Sequence, residues 1–372
     1  MTLSAPFPWM GGKSRIAPVV WAAFGDVVNY VEPFFGSGAV LLGRPEPWSG
    51  SETINDRDGF VANFWRAVSA DPEAVWSHAD WPVNENDQHA RHLWLVKRRE
   101  SLTAQLEGDP EYFDAKIAGW WVWGICVWIG AGWCSGDGPW TDDESGQLVH
   151  LGNAGQGIHR KRVHLGNAGQ GIHRQLVHLG DAGQGIHRKR VHLGNAGRGA
   201  GVGEEGGLAW MLALAERLRR VRVCCGDWSR VCGPTPTVKQ GLTGVLLDPP
   251  YSDDEREANL YAVDSGTVSA DVRAWALEWG ADPRMRIALC GYDTEHEMPG
   301  WTRYAWSTKG GYGSQGHGRG RANAKREVVW FSPHCIRVSR TPLLDISDEA
   351  ASCSSAYRKW EEQAKQAREV DQ

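Results

Sequence analysis

The chain has 372 residues, 46 of them glycine and 21 tryptophan, with 41% hydrophobic residues and a formal net charge of −5. Apart from that excess of Gly and Trp, the composition is that of a globular protein long enough to bury a core in one large domain or two. Its eight cysteines form no CxxC pair and no even framework, which excludes a cysteine-ligated zinc module and a small disulfide-stapled secreted domain and points to reduced cytosolic thiols. An acidic balance argues against a nucleic-acid partner only where it is uniform, and here it is not. Residues 148–200 carry eight Lys/Arg against one acid, Asp181, and residues 309–326 carry five against none, which leaves −17 on the remainder.

The opening MTLSAPFPWMGGKSR lacks a basic start followed by an apolar core, so no signal peptide is expected. PWMGGKS ends like a phosphate-binding loop, but that motif needs a glycine where Phe7 stands, which argues against a nucleoside triphosphatase. Lys13 is then either a partner for a ligand carboxylate or an ordinary surface lysine. Residues 26–42, DVVNYVEPFFGSGAVLL, read as a strand, a glycine turn and a helix start, the opening unit of a doubly wound α/β sheet. A second unit follows, with ETIND as strand and GFVANFWRAV at helical spacing.

From Asp71 to about Glu205 the pattern changes to Trp-rich helices and then glycine-rich repeats. The run IAGWWVWGICVWIGAGW, 117–133, looks membrane-like, but 17 residues rich in Gly fall short of the roughly 20 needed to span, so a buried helix and turn is predicted. VHLGNAGQGIHRKR, 149–162, recurs with a 14-residue period and decays by Ala200. The array is either a basic β-meander or solenoid, or a low-complexity loop with no fixed fold. Its seven histidines include no i,i+3 or i,i+4 pair, so no metal site is expected. LAWMLALAERLRRV then reads as a helix with Leu208, Met211, Leu212, Ala215, Leu218 and Val221 on one face. VRVCC, TGVLL, MRIALC and EVVWFS read as strands, and residues after about Arg337 as a polar tail with a charged helix near its end.

Three constellations carry chemistry. In EPFFGSG, Glu32 to Gly38, glycines between a strand and a helix let backbone approach a ligand without Cβ obstruction, although the third glycine of a dinucleotide fingerprint is absent. Asp56, 24 residues past Glu32 at the end of the next strand, stands where an acid accepts hydrogen bonds from a ribose diol; the alternative is a cap for the helix starting at Gly59. Together the two suggest an adenosine-bearing cofactor. The third is DPPY, just past the TGVLL strand, where open α/β sheets place ligands. Its prolines stiffen the turn and leave carbonyls aimed outward, so Asp248 and the Pro249 carbonyl make two acceptors beside the ring of Tyr251. That set suits a planar base with an exocyclic NH₂, held by both hydrogens and stacked on Tyr251 once it leaves the duplex. The alternative is a rigid strand-end turn.

PFPWMGGKSRI, VEPFFGSGAVLL, IND at 54–56, CGDW at 225–228 and LLDPPY resemble, in this order, the motifs of the Dam-like class of adenine-specific (N6) DNA methyltransferases. With the final REVVWFS strand the resemblance covers roughly residues 5–66 and 206–336. It implies an α/β, Rossmann-like S-adenosylmethionine-dependent methyltransferase sheet with helices on both faces. It further implies that Trp9, Lys13, Glu32, Phe34, Gly36, Gly38, Asp56, Asp227 and Trp228 hold S-adenosylmethionine, and that Asp248, Pro249, Pro250 and Tyr251 take the target base, with no metal. Residues 1–70 then form the cofactor part, 71–205 an inserted target-recognition region, 206–336 the catalytic part and 337–372 the tail. The repeats do not align to the family's insertion.

Basic residues suit DNA phosphates, which position an enzyme without specifying sequence. Arg160, Lys161, Arg162, Arg174, Arg188, Lys189 and Arg190 of the array, with Lys309, Arg319 and Arg321 of the late Gly/Arg loop, are the expected DNA contacts. The expected protein is a cytoplasmic monomer acting on double-stranded DNA, without a membrane partner. Two alternatives stand beside it: an N4-cytosine, RNA or amide methyltransferase on the same fold, and an inactive DNA-binding protein acting through the repeats.

Overall fold

The computed structural model describes residues 3–9, 11–128, 133–134, 140–142, 148–150, 204–251, 268–306 and 326–337. The elements below all lie in one unit, Met1–Ile336. A seven-stranded sheet organises it: β1 (Asn29–Glu32), β2 (Ser51–Asp56), β5 (Val221–Cys225), β6 (Thr243–Leu247), β7 (Met285–Tyr292), β8 (Thr302–Ala305) and β9 (Glu327–Phe331), in the order β5-β2-β1-β6-β7-β9-β8. The first five strands of that order are parallel; β9 runs antiparallel to both β7 and β8. The order reverses between β1 and β6, which both pair in register from Asn29 opposite Thr243. β1, β6 and β9 are buried at every position, as strands covered on both faces require.

Alternation along the strands feeds two cores. Val31, Val245, Leu247, Ile287 and Leu289 share a cluster with Val272 and Ala276 of a helix at Val268–Trp279. On the opposite face Tyr30 meets Trp21 and Phe24 of α1 (Ala17–Phe24), at 4.7 and 6.2 Å between ring centres. The α/β sheet with helices on both faces is therefore as expected.

α2 (Ala39–Leu42) follows the glycine turn, and α3 (Gly59–Ala70) follows β2. The cap of α3 is Asp58, whose Oδ1 accepts the Phe60 N–H at 2.9 Å, so the capping alternative for Asp56 falls to its neighbour. Four helices come next: α4 (Pro72–Ala79), α5 (Glu85–Val96), α6 (Arg99–Gly108) and α7 (Ala115–Val127). Asp71, Asn84 and Asp114 cap three of them. α7 is tied to the N-terminal segment and to α3 by edge-on rings, with Phe7 5.3 Å from Phe64 and 5.0 Å from Trp121. The membrane-like run is thus a buried helix ending at Val127, and among the described residues no helix is long and apolar enough to cross a membrane.

Two expectations need correction. In α8 (Glu204–Leu218) the buried positions are Gly207, Trp210, Met211, Leu214 and Leu218, while Leu212 is 43% exposed. Trp210 and Leu214, with their larger or better-aligned side chains, turn the buried stripe away from Leu212, and Val221 has already entered β5. The second is β8, a short TRYA edge strand that the sequence pattern does not announce. Of the repeat region, Leu148–His150 (β4) pairs with Trp140–Asp142 (β3) in an antiparallel ladder. The rest of the array, the Gly/Arg loop and the tail lie outside the described residues, and with them all ten expected DNA contacts.

Candidate active site

The β1/β6 reversal opens a crevice beyond the carboxyl ends of the strands, because the connections from these two neighbours leave toward opposite faces. Glu32 ends β1 and Leu247 ends β6, so the glycine turn and the DPPY turn face one another there.

The DPPY side is closed by the N-terminal segment. Lys13 is buried, and its Nζ donates to the Gly11 carbonyl at 2.9 Å and the Tyr251 hydroxyl at 3.2 Å, and forms an ion pair with Asp248 Oδ2 at 2.9 Å. Burial works against the ammonium charge, but Asp248 and then Glu327 outweigh it, and the pKa stands above the usual lysine value. Lys13 is therefore no surface lysine, and in this structure it meets a carboxylate of the protein itself, Asp248. The Tyr251 hydroxyl also lies 3.3 Å from Asp248 Oδ1 and donates to Glu327 Oε2 at 2.9 Å. Its ring is 8% exposed and stands edge-on to Tyr292 at 4.6 Å. Tyr251 is therefore a buried residue in this structure. Pro249 is buried and Pro250 half-buried.

The other side is built from the ends of β1, β2 and β5. Glu32 is buried, and the Tyr30 hydroxyl donates to its Oε2 at 2.7 Å. Burial raises its pKa well above the usual carboxylate range, with the Tyr30 hydrogen bond opposing. Asp56 accepts the Gly36 N–H on Oδ2 and the Asp58 N–H on Oδ1, both at 2.9 Å. Its surface still meets solvent, but the recess around it is crowded enough to push its pKa up to about 7, against the Gly36 hydrogen bond and with Asp58 adding repulsion. Gly36 and Gly38 both have positive φ, 49° and 70°; a Cβ on Gly36 would lie 2.4 Å from Trp9 Nε1, so the indole of Trp9 covers the turn. Phe34 stacks on Trp228 with ring centres 6.3 Å apart. Asp227 is exposed and caps the short turn Trp228–Val231 through Ser229.

Three residues of this arrangement escape motif reading. Asn55, buried, donates from Nδ2 to the carbonyls of Pro33 and Gly226, both at 3.0 Å, and so pins the loops after β1 and β5 to β2. Tyr30 holds Glu32, and Glu327 holds Tyr251. Alternation marks Tyr30 only as core; an acid at a strand start reads as a solvent-facing end.

The acceptor set fits a ligand that carries a sugar diol and an amine. A carboxylate offers about four acceptor positions, and the Asp56 oxygens have used two on N–H groups. Among the described residues no group of three His, Cys, Asp or Glu side chains could hold a metal ion. The model of the family described as D12 class N6 adenine-specific DNA methyltransferase matches residues 9–107, which contain Trp9, Lys13, the glycine turn and Asp56. No curated protein matches the chain.

Proposed function

We propose that the chain acts as an adenine-specific DNA methyltransferase of the Dam-like class, a reading supported by the family match over residues 9–107, and that it moves a methyl group from S-adenosylmethionine to the N6 amine of an adenine turned out of the duplex, by direct in-line transfer. One observation carries this reading: the DPPY turn and the glycine turn end neighbouring strands on either side of the sheet's reversal. When bound, S-adenosylmethionine supplies a methyl group on a positively charged sulfur. Asp56 holds its ribose, Glu32 with the turn of Phe34, Gly36 and Gly38 holds its methionine end, Asp227 and Trp228 its adenine, and Trp9 covers the turn. Lys13 pairs with Asp248 and holds that side chain in place.

Asp248 and the Pro249 carbonyl accept the two hydrogens of the target amine. The lone pair of that nitrogen is then no longer drawn fully into the ring and can attack. Pro250 stiffens the turn, and Tyr251 walls the base pocket. Fixing donor and acceptor within about 3 to 3.5 Å removes much of the barrier without a covalent enzyme intermediate. Residues 1–70 and 206–336 form the catalytic part, 71–205 the target-recognition insertion and 337–372 a polar tail. The basic residues of the array and of the Gly/Arg loop neutralise phosphates of double-stranded DNA, met by a cytoplasmic monomer.

The test is chemical. DNA treated with the protein and S-adenosylmethionine, digested to nucleosides, should contain N6-methyladenine and no N4-methylcytosine. Asp248→Ala should lose methylation by about a thousandfold while still binding S-adenosylmethionine; near wild-type methylation by that variant overturns the assignment.

A further inference from the structure

Glu327 opens β9 and lies in the middle of the site. Its Oε2 accepts the Tyr251 hydroxyl at 2.9 Å, and the same Tyr251 oxygen lies 3.3 Å from Asp248 Oδ1 and 3.2 Å from Lys13 Nζ. Tyr251 thus joins two carboxylates through one hydroxyl. Among the described residues Lys13 is the cation of the group, so two carboxylates share one ammonium there and can take up one more proton. Glu327 is 5% exposed.

The other groups around it leave that capacity in place. Glu295 is engaged by the Ser269 hydroxyl at 2.6 Å and the Tyr292 N–H at 3.1 Å, Arg326 is turned onto Asp293 at 2.9 Å, and Cys290 is a fully buried thiol on β7. Burial raises the Glu327 pKa, Lys13 opposes this, and Asp248 adds to it.

We infer that Glu327 is the far end of a proton path running from Asp248 through Tyr251, which receives the proton that N6 must lose after it has been methylated. This rests on the adenine reading above. When the nitrogen gains its methyl group it becomes a cation carrying one proton too many, while the donor sulfur becomes neutral. The N–H bond breaks with its electron pair returning to nitrogen, and Asp248 Oδ1 takes the proton. Asp248 then passes a proton to the Tyr251 oxygen as the Tyr251 hydroxyl proton moves to Glu327 Oε2, so one proton has moved, Asp248 is again ionised and Tyr251 is unchanged. Glu327 touches no reacting atom; it acts through Tyr251.

Glu327→Gln keeps an acceptor for the Tyr251 hydroxyl but cannot take a proton, whereas Glu327→Ala removes both functions. In single-turnover methylation at saturating S-adenosylmethionine and DNA, both variants should be slower by about a hundredfold. The acid limb of the wild-type pH profile should be missing from Glu327→Gln. Without cofactor, infrared difference spectra between acid and alkaline pH should show, beside an Asp56 band that persists in the variant, a buried carboxyl C=O band that Glu327→Gln abolishes. A Gln variant as fast as wild type, a band unchanged by it, or a loss of rate matched by losses of melting temperature and cofactor affinity would each overturn the path. Failure of the wild-type protein to make N6-methyladenine would instead defeat the reading on which it rests.

Discussion

Asp56 has its two oxygens on backbone N–H groups and a pKa near 7, so its charge is set by what enters the recess. A sugar diol donates hydrogens and is best received by the ionised form. Cofactor affinity should therefore rise as pH increases from about 6 to 8, with a proton released on binding; calorimetry in buffers of different ionisation enthalpy measures both. Asp56→Asn should flatten that dependence and weaken binding by about 1.5–3 kcal/mol. For stability without ligand the sign is opposite. The folded pKa is raised from 3.8 to about 7, so the contribution of Asp56 is complete below the lower value and is lost as pH rises through the upper one. Position after a strand made Glu32, Asp56 and Asp248 legible in the sequence, because a sheet of this kind presents its ligands at those ends. Asn55, Tyr30 and Glu327 were not, since each works by a partner at least one strand or two residues away that no local pattern names.

Among the elements, the glycine turn carries two residues at positive φ, Gly36 and Gly38. Gly38 sits at φ 70°, and a Cβ there would come within 2.7 Å of the Phe35 ring and 3.0 Å of Trp65. Gly38→Ala should cost about 1–3 kcal/mol and lower the thermal midpoint, while Ala at the open Gly108 should not. The turn is also fixed by Trp65, whose Nε1 donates to the Gly36 carbonyl at 2.9 Å. Strands β6, β7 and β9 were readable because strands covered on both faces are written as short continuous apolar runs. β8 was not: its residues are mostly exposed, and a four-residue edge strand leaves no such run. The face of α8 was misjudged for a related reason, since an almost wholly apolar helix offers several stripes and only packing selects one.

For the whole molecule, the opposite end of β2 carries a different load. Glu52 is buried and ion-paired with Arg44 at 2.9 Å and Arg217 at 2.7 Å, both of which lie over the Trp48 ring. Glu52→Ala would leave two guanidinium groups without their carboxylate, and should cost about 3–5 kcal/mol in denaturant unfolding, with the site chemistry of the surviving folded fraction intact. The active site joins residues still farther apart in the chain. Lys13 and Tyr251 are 238 positions apart, and Tyr251 and Glu327 another 76. At about 5–20 residues per second, a ribosome takes roughly 15 to 60 s to travel from the first of these residues to the last. A nascent chain would have the glycine turn and Asp56 first and the proton path only once Glu327 has followed them, so the ability to modify DNA would be acquired in time as well as in space.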